Sequence, residues 1–157
     1  LLIVVAIIGV LAAVGIPMYN GYILSAKVNA TKENHNRIRD FIAASFIKCA
    51  AGSQYIVLNN SAFRYPGSSK VHSGTNNRAC GDSVSNYAHY FANHFNNEGF
   101  MNPHNTAEAC CLAQAWNPPL GRTHMWGYNA SKTVRIVTNV GTDSGGNDYL
   151  RSTVTKE

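Results

Sequence analysis

The side chains that could do chemistry in this chain are four cysteines, six histidines and a short acidic and amide-rich stretch near the C-terminus. Cys49, Cys80, Cys110 and Cys111 carry no C-x-x-C spacing, no C-x-x-C-H haem-attachment pattern and no close histidine. Zinc, haem and thiol-redox chemistry therefore lack their usual spacing, and disulfides in an oxidising compartment are the expected use. Three connectivities are open. A 110–111 bridge would close a strained ring of adjacent residues. The expectation is that each of the pair reaches a different partner, stapling a loop to the end of a helix. Each such bridge contributes roughly 2–4 kcal/mol. The histidines sit in NHN, VHS, AHY, NHF, PHN and THM, without metal-cluster spacing. His89 and His94, five apart, do not share a helix face, and a polar surface is the expected setting for all six. Asp143, Asn147 and Asp148 offer hard oxygen ligands of the kind Ca²⁺ takes, but not at EF-hand spacing, so no cofactor is expected. Asn29, Asn59 and Asn129 each begin an Asn-x-Ser/Thr triplet, which chance explains in a chain this rich in Asn, Ser and Thr.

Asp143-Ser144-Gly145-Gly146 resembles the segment around the nucleophile of trypsin-like proteases, where those residues build the oxyanion hole. That chemistry also needs a distant histidine base and an orienting aspartate on two barrels. No histidine here has the catalytic Ala-Ala-His-Cys context, and the chain is too short. A Gly-rich turn between strands is the expectation, with a membrane-anchored hydrolase as the remote alternative.

The elements that would carry these residues follow from how apolar residues are spread over the 157 positions. Charged residues make up only 13%, hydrophobic ones 45% and aromatic ones 10%, which excludes an intrinsically disordered chain. A net charge of +5 favours polyanions, yet the thirteen cations form no block. From Leu1 to Ile16 every residue is apolar or Gly, and no charge appears before Lys27. Tyr19 and Tyr22 suit a membrane interface, so residues 1–24 read as an apolar anchor. No Gly or Pro occurs from Ser25 to Cys49, where Ile38, Phe41, Ile42, Ser45 and Cys49 form one apolar stripe. Residues 25–50 thus continue the helix as an amphipathic rod. The whole element, about 1–49, would be roughly 70 Å long.

LLIVVAIIGVLAAVGIP at 1–17 resembles the N-terminal helix of type IV pilins, the family with class III signal peptides and N-terminal methylation. In that family a prepilin peptidase cleaves after a Gly; a short apolar stretch and a Glu follow, then a run like this one ending in a Pro that matches Pro17. The recorded sequence begins where that Glu would have just ended, and we expect the chain to continue upstream of Leu1. The resemblance implies a helix that anchors the precursor singly in the inner membrane. It then packs against copies of itself in an extracellular filament. The filament-interface residues it implies are Leu1, Val5, Ile8, Gly9, Leu11, Ala12, Val14, Gly15 and Pro17. Gly9, Ala12, Ala13 and Gly15 would let such helices approach closely. The family also implies local melting between Gly9 and Pro17 once the helix is in a filament.

Residues 51–157 read as a head. YIVL at 55–58 is a short strand, and FRYPGSSKVHSGTNNR is a turn-rich loop. Asp82 is expected to cap a helix bearing Val84, Tyr87, Ala88, Phe91 and Phe95, which Gly99 ends. TAEACCLAQAW reads as a further helical turn or two. THMWGYN, KTVRIVT and YLRSTVT read as three antiparallel strands, the first two joined by a hairpin at 129–132. The expected fold is α+β and type IV pilin-like: one long helix packed on a small head with a second helix and a sheet of about three strands. The expected role is structural, not enzymatic: a subunit of a type IV pilus serving attachment, twitching motility or DNA uptake. Its partners would be further copies, the membrane before assembly, the prepilin peptidase and inner-membrane assembly machinery, and a surface or DNA ligand. The alternative is a pseudopilin of a type II-like secretion system, some of which place Ca²⁺ in a C-terminal loop of the head.

Overall fold

The computed structural model describes residues 2–60, 62–63, 72–74 and 76–157. Leu1 and most of the turn-rich segment 63–78 lie outside the described residues. Helix α1 runs unbroken from Leu2 to Ala50, through Pro17. It is helical across 9–17 in the single chain, and the expected melting concerns the filament alone. Its buried positions are Val28, Thr31, His35, Ile38, Ile42, Ser45 and Phe46. They recur every three or four residues, so one stripe of the lower half meets the remainder of the chain. The stripe begins at Val28, not at the expected Ile38, and Thr31 and His35 belong to it.

After α1 come β1 (Tyr55–Val57), β2 (Ala62–Phe63), β3 (His72–Ser73), β4 (Asn77–Ala79) and helix α2 (Val84–Asn97). There follow β5 (Met101–Asn102), β6 (Asn105–Ala109), β7 (Cys111–Leu112), β8 (Thr123–Tyr128), β9 (Thr133–Asn139) and β10 (Tyr149–Thr155). The main sheet has four strands in the order β10-β9-β8-β7, and β7 pairs in parallel with β8. The three strands expected at the C-terminal end are present and antiparallel. Residues 106–116 hold β7 and most of β6, not a helical turn. The Asn96 side chain explains why: its Oδ1 accepts from the Cys111 N–H at 3.0 Å, and its Nδ2 donates to the Cys111 carbonyl at 2.8 Å. Thr123 N–H donates to the Cys110 carbonyl at 2.8 Å. Both cysteines are thereby held extended along the sheet edge.

The core lies where α1, α2 and the sheet meet. Phe46 of α1 makes edge contacts with Tyr87 and Phe91 of α2, and Phe41 with Phe91 and Phe95. Met125, Val134, Ile136 and Val154 supply the sheet's inner face. On that face Gly127 of β8 is required by space. A Cβ there would stand 2.2 Å from the Val84 carbonyl oxygen, so α2 could not sit on the strand. The N-cap of α2 is Ser83, not Asp82, and its hydroxyl accepts from Asn86 N–H at 3.2 Å. Gly99, at φ +82°, follows the helix as expected.

Cys49 is bonded to Cys80 and Cys110 to Cys111, which corrects the expectation that the adjacent pair would separate. The reason is topological. β4 pairs with β1, Ala79 opposite Tyr55, and Cys80 N–H donates to the Gln54 carbonyl, so the excursion from 55 to 79 ends beside the C-terminus of α1. Cys80 finds Cys49 there, with Cα atoms 5.5 Å apart. Cys110 and Cys111 lie buried between α2 and β8, with each other as partners.

The histidines are not all at a polar surface. His35 is buried between α1 and the sheet, with Nδ1 2.8 Å from Thr138 Oγ1 and Nε2 2.8 Å from Ser152 Oγ. His94 stacks on Phe41 and accepts from Asn59 N–H. His124 is buried in β8. Burial, and secondarily the Arg39 charge, lowers the His35 pKa to about 4. In the unfolded chain an ordinary value near 6.5 returns. Between these values the unfolded state binds a proton that the folded state refuses. The stabilisation is therefore complete above about pH 6.5 and is lost as pH falls towards 4. Burial shifts His89, His94, His104 and His124 in the same direction. Urea unfolding of the detergent-solubilised chain should show stability falling on acidification through this window. A His35→Gln variant should lose less, by up to about 3 kcal/mol; equal slopes would contradict a buried neutral imidazole.

Candidate functional site: the exposed half of the first helix

Every described residue from Ile3 to Tyr22 is exposed. Ile3 is 75% and Leu11 67% accessible, and Val5, Ile8, Val10, Val14 and Ile16 are similar. Of the expected interface residues, Val5, Ile8, Gly9, Leu11, Ala12, Val14, Gly15 and Pro17 all lie on this segment, while Leu1 is outside the described residues. Among the described residues nothing else covers them. An 18-residue window of α1 has a mean hydropathy of 2.2 with none of it buried. The helix is long and apolar enough to cross a membrane. A core helix of a water-soluble fold can match that length and composition, but its window would be covered.

Nine exposed Val, Leu and Ile side chains lie between Ile3 and Ile16. Fully burying one such side chain contributes about 1.5–3 kcal/mol, so on the order of 14–27 kcal/mol is unrealised while this segment faces water. The glycines of the segment point the same way. A Cβ added at Gly9, Gly15 or Gly21 would meet nothing within 4 Å, and none of the three has a positive φ. Each costs about 1 kcal/mol of helix stability relative to Ala, with no return inside the chain. Close approach of another helix would supply that return.

The C-terminal turn is built differently from a catalytic one. The Gly145 and Gly146 N–H groups donate to the Thr142 carbonyl and hydroxyl, at 2.9 and 2.8 Å, so both are consumed inside the turn. Ser144 Oγ lies 3.0 Å from Thr142 Oγ1. His104, close to this turn, has its Nε2 3.2 Å from the Val140 carbonyl. The oxyanion hole and base suggested by the motif are not assembled among the described residues. The three oxygen ligands are also parted: Asp143 Oδ1 accepts from Ser25 Oγ at 2.9 Å, and Asn147 Oδ1 accepts from Asn139 Nδ2 at 2.7 Å. Asp148 joins through its backbone, its N–H donating to Asn139 Oδ1 and its carbonyl accepting from Val140 N–H. Among the described residues no three His, Cys, Asp or Glu side chains converge to hold a metal ion. The turn instead ties the head to α1 at Ser25, just below the exposed half. Sequence reasoning missed this contact, since Ser25 and Asp143 carry no signal that pairs them.

Replacing Gly9 and Gly15 by Ala separates the two uses of the helix. In detergent the double variant should be at least as helical by circular dichroism, by up to about 2 kcal/mol. Its self-association, read by energy transfer between labelled copies, should weaken. Stronger association with Ala at both positions would contradict a close helix–helix approach.

No protein-family model matches this chain, and no characterised protein or solved structure matches it significantly.

Proposed function

We propose that this chain is a structural filament subunit of type IV pilin character, held in a membrane by residues 1–24 before assembly and polymerised through the same residues afterwards. The observation that carries this reading is the two-part helix. Residues 3–22 are uncharged and uncovered, apolar on all sides as far as Met18, and the same helix continues without a break into a stripe that anchors the head. The resemblance of residues 1–17 to the pilin helix supports it. An all-round apolar rod can be accommodated by lipid or by copies of itself. Copies related by one repeated contact that does not close into a ring form a helical fibre. The head is then displayed outside the bundle, in the extracellular space, where disulfides persist. In this reading the chain performs no catalysis. Upstream processing by a prepilin peptidase and N-terminal methylation follow from the same resemblance.

Electron microscopy of material sheared from producing cells tests this. Long surface filaments that label with an antibody to the head are expected; their absence together with a secretion defect would favour the pseudopilin alternative. Val10→Asp places a carboxylate among apolar neighbours in the bundle, where an unpaired ion costs several kcal/mol. The variant should still fold its head, because Val10 touches nothing there, yet yield at least tenfold fewer filaments. Normal yield would overturn the packing model.

A further inference from the structure

The main sheet has two faces with different chemistry. The inner face, with Met125, Gly127, Val134, Ile136, Thr138, Ser152 and Val154, packs on the two helices. Side chains alternate along a strand, so Trp126, Tyr128, Arg135, Tyr149 and Arg151 share the opposite face. Register confirms it: Trp126 stands opposite Arg135 across β8 and β9, and Arg151 opposite Val137 across β9 and β10. His124, Val137 and Asn139 of this face are buried, so its open part is the stretch that carries Trp126, Tyr128, Arg135 and Arg151. The Arg135 guanidinium lies over the Trp126 ring at 5.4 Å, and that of Arg151 over the Tyr149 ring at 5.4 Å. Strands β8, β9 and β10 contain no Asp or Glu. Among the described residues neither arginine has a carboxylate within ion-pair distance. Two further rings bound the face. Tyr128 is 48% exposed at one end, and Trp116, 62% exposed, stands beside His124 at the other.

We propose that this outer face binds single-stranded nucleic acid, with Arg135 and Arg151 taking successive phosphates and Trp116 and Tyr128 stacking bases. The chemistry recommends this ligand over a neutral or cationic one. A guanidinium held over an aromatic ring has lost part of its rotamer freedom, and its N–H fork suits phosphate. The two arginines are diagonal neighbours, about 7–8 Å apart at Cα, a step an extended strand can match between phosphates. His124 and Tyr128 are four residues apart along β8, about 13 Å, so the exposed rings bracket a few nucleotides. Exposed rings beside paired cations are how sequence-tolerant single-strand sites are built. A double helix would present its phosphates but not its base faces, and leave both rings idle. The proposal does not depend on polymerisation, because this face is turned away from α1 in the single chain.

The full chain in detergent micelles, titrated with a fluorescein-labelled oligo-dT at low salt, tests it by anisotropy. The Arg135→Gln/Arg151→Gln pair should weaken binding at least tenfold and flatten the log–log salt slope by about 1.4, at about 0.7 per phosphate contact. Trp116→Ala should weaken binding about fivefold with the salt slope unchanged, since stacking releases no counterions. Lys32→Gln, an equal loss of charge per site on the exposed side of α1, should change affinity less than twofold. Circular dichroism of each variant confirms that the head is folded. Equal losses from Lys32→Gln and the arginine changes would overturn the proposal, as would tighter binding of duplex DNA or of heparin than of oligo-dT. Unchanged affinity in the arginine pair, with the fold intact, would overturn it as well. None of these outcomes bears on whether filaments form.

Discussion

One rod of helix in this protein joins two unlike halves, an uncovered apolar one and one that carries the head, and most other features of the molecule follow from that joint. Its first half, uncovered from Ile3 to Tyr22, loses free energy wherever it meets water. Its second half is tethered through a stripe from Val28 to Phe46 to a head built for water. Because nothing interrupts α1 between the halves, what the apolar half does is transmitted directly to the head. The contact between Ser25 and the Asp143 turn lies at the junction. It holds the C-terminal turn against the helix where lipid or neighbouring helices would end and the head begin.

The head secures that rod in several ways that do not share a mechanism. Phe41 and Phe46 interleave with the aromatic residues of α2. His35 bridges β9 and β10 with both ring nitrogens, so the helix is held to the sheet by directed bonds as well as by area. The Cys49–Cys80 bond fixes the end of the rod to the β1–β4 pair. A small domain that must hold a long lever gains from restraints at both ends of its contact with it.

Much of this was legible in the chain, and the failures have particular causes. The long helix and the three long strands carry strong local signals: an apolar run and a stripe at helical spacing, then β-branched runs bounded by turns. The Ser83 cap was misplaced by one residue, because Asp82 and Ser83 are both good cap residues and only the backbone geometry chooses between them. Residues 106–116 have helix-forming composition, yet the Asn96 side chain and β8 hold their backbone extended, a tertiary decision that local propensity does not contain. The disulfide pairing was missed for the same reason. It depends on β4 returning to β1, and the short strands involved leave little periodicity to read. The burial of His35 was missed: the expected stripe began at Ile38, and the partners that satisfy the ring, Thr138 and Ser152, are more than a hundred positions away.

We propose that, once assembled, the exposed half of α1 is covered by other copies of itself. Dipolar broadening in intact filaments assembled from a Leu11→Cys chain carrying a spin label at that position measures this directly. Strong broadening from labels on neighbouring helices is expected, with poor access of a water-soluble relaxation agent and a narrow spectrum when the same chain is diluted singly into micelles. A narrow, water-accessible label at position 11 within assembled filaments would contradict it.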